Sequence, residues 1–142
     1  MPTREVVVNS GSGLVQTILI GPHQLVADER VESGGKDVGP GPYELLLAAL
    51  GASTSMTLRA FADGKDWPVK QVTVRCEHWK VQATGGNGGR QAVDEIKKVI
   101  LLEGALSNVQ RNRLLEVADT CPVHRTLART VRICTVLGTE DA

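Results

Sequence analysis

The stretch PYELLLAALGASTSMTLRAFA, residues 42–62, decides the fold of this chain. Most of its positions are apolar or small, and beyond the opening Pro42 its only helix breaker is Gly51. The pattern predicts one long helix over residues 43–62, with Pro42 at the first helical position, where a missing N–H costs nothing. Apolar groups occupy most of the circumference. We therefore expect this helix to be buried nearly all round, with a sheet wrapped about it.

Strand and helix signals surround the long helix on both sides. Alternating or apolar runs predict five strands, at residues 5–8, 14–20, 24–28, 69–81 and 95–103. The glycine-rich residues 85–89 between the last two predict a hairpin loop. Ser107 and Gln110 form a capping-box signal for a helix to about residue 119. A short helix at 122–128 and a last strand at 131–137 follow. The order predicts a single α+β domain over residues 1–142, with a mostly antiparallel sheet.

Composition excludes several classes of protein. The 142 residues include sixteen basic and sixteen acidic side chains, so no basic patch indicates binding to nucleic acid or to a membrane surface. The long helix is rich in Gly, Ser and Thr and reaches Arg59, which argues against a membrane span. The N-terminus has no apolar signal core. We expect a cytoplasmic protein with no nucleic-acid or membrane partner.

Cys121 is the cysteine whose position indicates reactivity. If Pro122 opens the short helix, Cys121 is its N-cap, where free N–H groups and the helix dipole favour a thiolate. The next residues include His124 and Arg125, and each could lower the thiol pKa further. The alternative is a capped helix with a buried, inert cysteine and a surface histidine.

The other candidate groups fit structural roles better. Cys76 and Cys134 lie within predicted strands and are expected to be packing residues. His78 shares the face of Cys76 and is expected to be a hydrogen-bonded interior histidine. The Cys121-x-x-His124 spacing has no second ligand pair, so neither a zinc site nor a cofactor is expected. Ser53 has no G-x-S-x-G motif around it.

Two motifs resemble the OsmC/Ohr family. PYELLLAALGA at residues 42–52, then Ser53, then TSMTLR at 54–59 is similar to the central helix of OsmC-like proteins. QRNRLLEVADTCPVHRTL at residues 110–127 resembles their second signature. The approach GPGP at 39–42 and the strand at 69–79 also fit. The resemblance covers nearly the whole chain beyond about Gly21, and the two motifs together are specific.

The resemblance implies an OsmC-like fold, in which a mostly antiparallel sheet wraps a long buried helix in an intertwined homodimer. The catalytic branch of the family reduces organic hydroperoxides. A cysteine on the central helix attacks the peroxide and becomes a sulfenic acid. A second cysteine, at the start of a later helix, condenses with it to a disulfide, which an external thiol reductant opens.

This chain departs from the family pattern at the position of the peroxide-reactive cysteine. The central-helix cysteine maps onto Ser53, whose hydroxyl cannot form a sulfenic acid, while Cys121 matches the second cysteine. The assisting acid of the hydroperoxide-resistance branch falls on Tyr43, one position before Glu44. The arginine of that branch comes from the N-terminal strands, but no arginine occurs between Arg4 and Arg30.

The resemblance therefore assigns catalytic positions to Cys121, Ser53 and Glu44, and binding positions to His124, Arg125 and Tyr43. Three functions remain open. The first is a thiol peroxidase of the oxidative-stress response that is weakened by Ser53 or acts through Cys121 alone. The second is a non-catalytic dimer that binds a hydrophobic small molecule. The third is another reaction, such as hydrolysis using Ser53 or a metal-dependent step.

Overall fold

The structure, a computed structural model, describes residues 2–86 and 88–138 of the chain. It divides into two compact units, Met1–Ala49 and Leu50–Ala142. The long helix α1, Pro42–Gly64, is continuous through the boundary between them. The expectation of one domain over residues 1–142 stays a prediction.

The first unit is built on a three-stranded antiparallel meander. Its strands β1, β2 and β3 span Val6–Ser10, Gln16–Ile20 and His23–Ala27. A short 3-10 helix, Val31–Ser33, lies in the loop that follows. The carboxylate of the buried Asp28 accepts hydrogen bonds from the backbone N–H groups of Glu29, Lys36 and Val38, so it organises the loop that leads to α1.

Helix α1 begins at Pro42, which confirms the predicted start. In the single chain, however, its burial is confined to one stripe at every fourth position: Leu50, Thr54, Leu58 and Ala62. The burial nearly all round that the composition predicts is absent in the described residues, because the face of the helix that carries Ala52, Met56 and Ala60 is exposed. Met56 on this face is 71% exposed.

By length and composition alone, α1 is apolar enough to cross a membrane, with a mean hydropathy of 1.4 over its most apolar window. The core helices of soluble proteins pass the same test. Here Leu58 and Ala62 pack within the core of the second unit.

The second unit contains a long antiparallel hairpin and two helices. Strands β4, Val69–Thr84, and β5, Arg90–Gly104, pair along almost their whole length, and Cys76 lies directly opposite Lys98. The hairpin loop is confirmed, although Asn87 at its tip lies outside the described residues. Helix α2, Asn108–Ala118, starts with the predicted capping box of Ser107 and Gln110. Helix α3 spans Pro122–Leu127.

The core of this unit forms where α1, β4 and α2 meet. Its buried members are Leu58, Ala62, Val69, Leu114, Val117 and Ala118. Half-buried side chains from the hairpin, including Val72 and Ile100, pack against them. The core fixes the middle of α1 and the end of α2, which are the segments that carry the candidate site.

The predicted strand at 131–137 is wrong. These residues form no strand in the structure, and their side chains are exposed, including Ile133 at 86%. A strand needs a neighbouring edge for its N–H and C=O groups, and no such edge pairs with this segment in the described chain. Cys134 is consequently exposed, so its predicted packing role is also wrong. The predicted α+β class, with antiparallel sheets and a long helix, is confirmed.

Candidate functional site

Cys121 is the N-cap of α3, as the sequence predicts. Its backbone is extended, with φ −65° and ψ 146°, and Pro122 begins the helix. The Sγ atom accepts a hydrogen bond from the backbone N–H of His124 at 3.3 Å. The side chain has no exposed surface. The sulfur is therefore a buried group held against the N–H groups of a helix start.

Two hydroxyl groups of α1 lie beside this sulfur. The Oγ1 atom of Thr54 is 3.3 Å from Cys121 Sγ. The Oγ atom of Ser53 accepts a long bond, 3.5 Å, from the backbone N–H of Val123. The structure thus brings together the two positions at which the family motifs place cysteines.

Lys98 completes the polar surroundings of the thiol. From β5, its Nζ atom donates to Thr54 Oγ1 at 3.2 Å and to the carbonyl oxygen of Ala118 at 2.8 Å. That carbonyl belongs to the last residue of α2, where a helix leaves its C=O groups without partners. A positive charge is therefore fixed one hydroxyl away from Cys121. Sequence reasoning missed both Lys98 and Thr54.

These surroundings lower the pKa of Cys121. Burial is the largest influence and raises the pKa, because it disfavours a charged thiolate. The hydrogen bonds from Ser53, Thr54 and the His124 backbone, together with the charge of Lys98, outweigh burial, so the net pKa lies below its usual range. The site therefore favours a thiolate at a position that solvent does not reach.

Cys76 has the opposite character although it is also near Lys98. Burial raises its pKa, and the charge of Lys98 offsets this only in part. Its Sγ atom packs near Gly51, where a Cβ atom would stand 3.7 Å away. This half-buried position agrees with the predicted packing role of Cys76. Of these two thiols, only that of Cys121 has a lowered pKa.

His124 contacts the thiol through its backbone, whereas sequence reasoning considered its side chain. The imidazole Nδ1 lies 3.8 Å from a carboxylate oxygen of Asp119, and Arg125 is exposed. The charge that acts on Cys121 is that of Lys98. Their predicted binding roles stay predictions.

Glu44 and Tyr43 lie in the first turn of α1, within the first unit. One carboxylate oxygen of Glu44 accepts a bond from the backbone N–H of Gly41 at 2.9 Å, and the other lies 3.8 Å from the guanidinium of Arg30. Glu44 therefore caps the start of α1 and forms an ion pair. Tyr43 is 55% exposed. The catalytic role of Glu44 and the binding role of Tyr43 stay predictions.

A cavity of about 210 Å³ opens next to the thiol site. Its apolar lining consists of Leu50, Ile96, Leu127 and Ala128, and its polar lining of Asp94, Lys98 and His124. Asp94 is hydrogen-bonded by Lys80 and by His78, both at 2.8 Å, which lowers the pKa of its carboxyl. The predicted hydrogen bond of His78 is therefore present. Because Lys98 and His124 also contact the site of Cys121, the cavity borders the residues that hold the sulfur.

The described residues contain no group of three or more His, Cys, Asp or Glu side chains that could hold a metal ion. In residues 2–86 and 88–138, no buried polar side-chain atom lacks a hydrogen-bond partner. The chemistry that this arrangement offers is that of an acidic, desolvated thiol beside a mainly apolar cavity.

Comparison with known protein families identifies the family of this chain. The family model described as OsmC-like protein matches residues 34–135, which include both motifs and Cys121. The chain belongs to the OsmC-like family. The resemblance that the motifs indicate is confirmed. No curated protein matches the chain.

Solved structures of OsmC-like proteins share the fold. An OsmC-like protein from Mycoplasma pneumoniae has a TM-score of 0.70 at 21% identity, covering 89% of this chain and 88% of its own. A Psychrobacter arcticus 273-4 protein, named for osmotic stress and a detoxification response, has 0.68 at 20% identity, covering 89% of both chains. An organic hydroperoxide resistance protein from Legionella pneumophila has 0.62 at 15%, covering 89% and 91%. At these identities the likeness establishes the fold alone.

Proposed function

We propose that this OsmC-like protein is a cytoplasmic thiol peroxidase that reduces organic hydroperoxides through Cys121, at a rate limited by Ser53. The observation that carries the proposal is the buried Cys121 thiol, whose pKa is lowered by its hydrogen-bond donors and by Lys98. The names of structural relatives, such as the organic hydroperoxide resistance protein of Legionella pneumophila, point the same way.

The reaction follows from the surroundings of one sulfur. The Cys121 thiolate attacks the terminal oxygen of R–O–O–H, so that an S–O bond forms, the O–O bond breaks, and the alkoxide takes up a proton to become an alcohol. Because position 53 carries a hydroxyl, the sulfenic acid meets an external thiol, which releases water and leaves a mixed disulfide. A second external thiol then frees the Cys121 thiolate.

The cavity supports an apolar substrate. Four of its seven lining residues are apolar, and its volume of about 210 Å³ suits a compact molecule. An alkyl or aryl hydroperoxide can place its organic group against Leu50 and Ile96. Its peroxide oxygens then face the side of Lys98 and His124, where the thiol is held.

The first prediction tests this function by steady-state reduction of cumene hydroperoxide with dithiothreitol. We expect measurable turnover that falls at least about tenfold in Cys121→Ser, because a hydroxyl does not present an anion at neutral pH. Cys134→Ser is the matched control, since Cys134 is a second free thiol that makes no contact with Cys121, and it should keep the full rate. Equal rates for the chain and Cys121→Ser would show the assignment to be wrong.

A second candidate, a binding protein for an apolar small molecule, is favoured by one observation. Cys121 has no exposed surface, so a bound molecule in the cavity need not reach it. Dimedone distinguishes the two functions because it traps a sulfenic acid. After one equivalent of hydroperoxide, labelling at Cys121 supports the peroxidase, whereas an unlabelled thiol together with saturable binding of an apolar probe supports the binding protein.

We also propose that the protein is a homodimer. In the described chain, α1 leaves apolar side chains such as Leu46 and Met56 exposed, and Ile133, Val136 and Leu137 are exposed in the C-terminal segment. Exposed apolar groups in such number are typical of an interface. A second subunit can cover α1 and supply the strand edge that residues 131–137 lack.

The second prediction concerns this dimer. We expect sedimentation at micromolar concentration to give the mass of two chains, and Met56→Asp to shift the protein towards monomer, because a buried charge is costly at an apolar interface. Lys70→Asp, an exposed change of charge on β4, is the control and should stay dimeric. A folded monomer of the unaltered chain would contradict the proposal.

A further inference from the structure

The hydroxyl of Thr54 lies between a cation and a sulfur. Thr54 is fully buried, and its Oγ1 atom is 3.2 Å from Lys98 Nζ and 3.3 Å from Cys121 Sγ. Either Oγ1 or Sγ could be the donor of the second contact, judged from that pair alone. The contact with Lys98 has one possible direction, because an ammonium group has three N–H donors and no acceptor.

The donor inventory fixes the direction of the bond from Lys98 and leaves the hydroxyl proton of Thr54 available for another partner. Thr54 Oγ1 must accept from Lys98, and its own proton is then directed away from the ammonium. The sulfur of Cys121 lies within hydrogen-bond distance of the same oxygen. A thiolate has no proton to offer, so it can only accept. The arrangement is therefore complementary to the ionised form of Cys121.

Lys98 is itself held in place from a third element. Its Nζ atom donates to the carbonyl of Ala118 at 2.8 Å, at the end of α2, where a positive charge also complements the helix dipole. Its strand position opposite Cys76 is fixed by the β4–β5 register. The ammonium is therefore anchored independently of Thr54 and Cys121.

We propose that Thr54 donates a directed hydrogen bond to the Cys121 thiolate, and that Lys98 is the positioning residue that sets the direction of this hydroxyl. The inference rests on the same sulfur as the proposed function, but it concerns the ionisation of Cys121 and can be tested without a peroxide. A donor that is already oriented stabilises the anion without reorganisation when the charge forms. Burial raises the pKa of Cys121, and the hydroxyl of Thr54 counteracts this effect. Loss of the hydroxyl should therefore raise the pKa of Cys121.

The experiment follows the pH dependence of Cys121 alkylation by iodoacetamide. It uses the full chain with Cys76→Ser and Cys134→Ser, so that one thiol remains. In this background Thr54→Val keeps the branched shape and removes the hydroxyl, whereas Thr54→Ser keeps the hydroxyl. We expect Thr54→Val to move the midpoint upward by about one pH unit, a roughly tenfold loss of thiolate below the midpoint, and Thr54→Ser to leave it nearly unchanged.

A matched pair at Lys98 separates charge from orientation. Lys98→Gln keeps an N–H donor near Thr54, whereas Lys98→Met removes donor and charge together. We expect both to raise the midpoint, Lys98→Met by more. In the Lys98→Met background, Thr54→Val should add much less than it does alone, because the hydroxyl has already lost its orientation. Such a double-mutant cycle isolates the coupling of the two side chains.

The outcomes decide the inference separately from the proposed function. An unchanged midpoint in Thr54→Val, an equal shift in Thr54→Ser, or additive effects of Thr54→Val and Lys98→Met would overturn it. If Thr54→Val fails to fold by circular dichroism, Thr54→Ala replaces it in every comparison. A shifted midpoint in a chain that reduces no hydroperoxide would refute the peroxidase and leave this inference standing.

Discussion

Ser53→Cys is expected to raise the rate of hydroperoxide reduction about tenfold or more, and to produce an intramolecular disulfide with Cys121. The Ser53 hydroxyl contributes to the lowered pKa of Cys121, and the backbone N–H of Val123, two residues after Cys121, donates to the Ser53 oxygen. A sulfur at this position gains the same N–H donor at the start of α3. The sulfenic acid formed on either sulfur then meets a second thiol within the site, before further oxidation.

The geometry of a disulfide sets a condition for this result. The Cα atoms of residues 53 and 121 should be about 4.4–6.8 Å apart, and the bond from Val123 at the start of α3 to Ser53 places the two positions near each other. The measurement is turnover with cumene hydroperoxide and dithiothreitol, together with the mass of the oxidised chain. Ser53→Ala is the control, because it changes the same side chain without adding a thiol. No gain in rate and no disulfide in Ser53→Cys would favour the binding protein.

The rate of hydroperoxide reduction by Ser53→Cys should stay below that of the hydroperoxide-resistance branch of the family. The position of that branch's assisting acid is held by Tyr43. The neighbouring Glu44 is engaged with the N–H of Gly41 and with Arg30. A carboxylate in these contacts caps a helix, and its charge is partly compensated by the guanidinium. Ser53→Cys therefore supplies the pair of thiols that a disulfide needs. It does not supply the assisting acid of that branch.

Leu114→Ala is expected to lower the free energy of unfolding by about 2–5 kcal/mol. Leu114 has no exposed surface, and it belongs to the core cluster that joins α2 to α1 and to the hairpin. Removing its terminal carbons leaves a cavity in that cluster. The neighbouring Leu115→Ala is the matched control, since its side chain is 57% exposed, and it should change stability by no more than about 0.5 kcal/mol.

Urea unfolding followed by circular dichroism measures both variants. The two leucines share one helix and the same helix propensity, so their difference reports burial alone. Equal midpoints for Leu114→Ala and Leu115→Ala would mean that the cluster around α2 is not the core of the unit. The position of Cys121 depends on the same packing, because α2 leads directly into its turn.

Local sequence signals predicted the start of each helix well. Pro42 opens α1, Ser107 and Gln110 form the capping box of α2, and Cys121 before Pro122 is the N-cap of α3. Each signal acts within one turn of helix, so the neighbouring residues determine it. The candidate thiol was predictable for the same reason.

The non-local parts of the site could not be predicted from these signals. Lys98 reaches Thr54 and Ala118 only because of the β4–β5 register and the packing of two helices. In the sequence, Lys98 is one cation beside an apolar run. The predicted strand at residues 131–137 is wrong for a related reason. The alternation of these residues fits a strand, but a strand requires a partner edge, and the described part of the single chain does not provide one.

Cys121, the thiol whose pKa is lowered, has no solvent-exposed surface. Cys134 is exposed and Cys76 is half-buried. Where no second subunit covers residues 131–137, bulky chromogenic disulfides therefore react first with Cys134 and report little about the site. A reagent that is to label Cys121 must be small, because the Cys121 side chain is fully buried. The size of a labelling reagent, more than its intrinsic electrophilicity, will decide which sulfur of this chain an experiment sees.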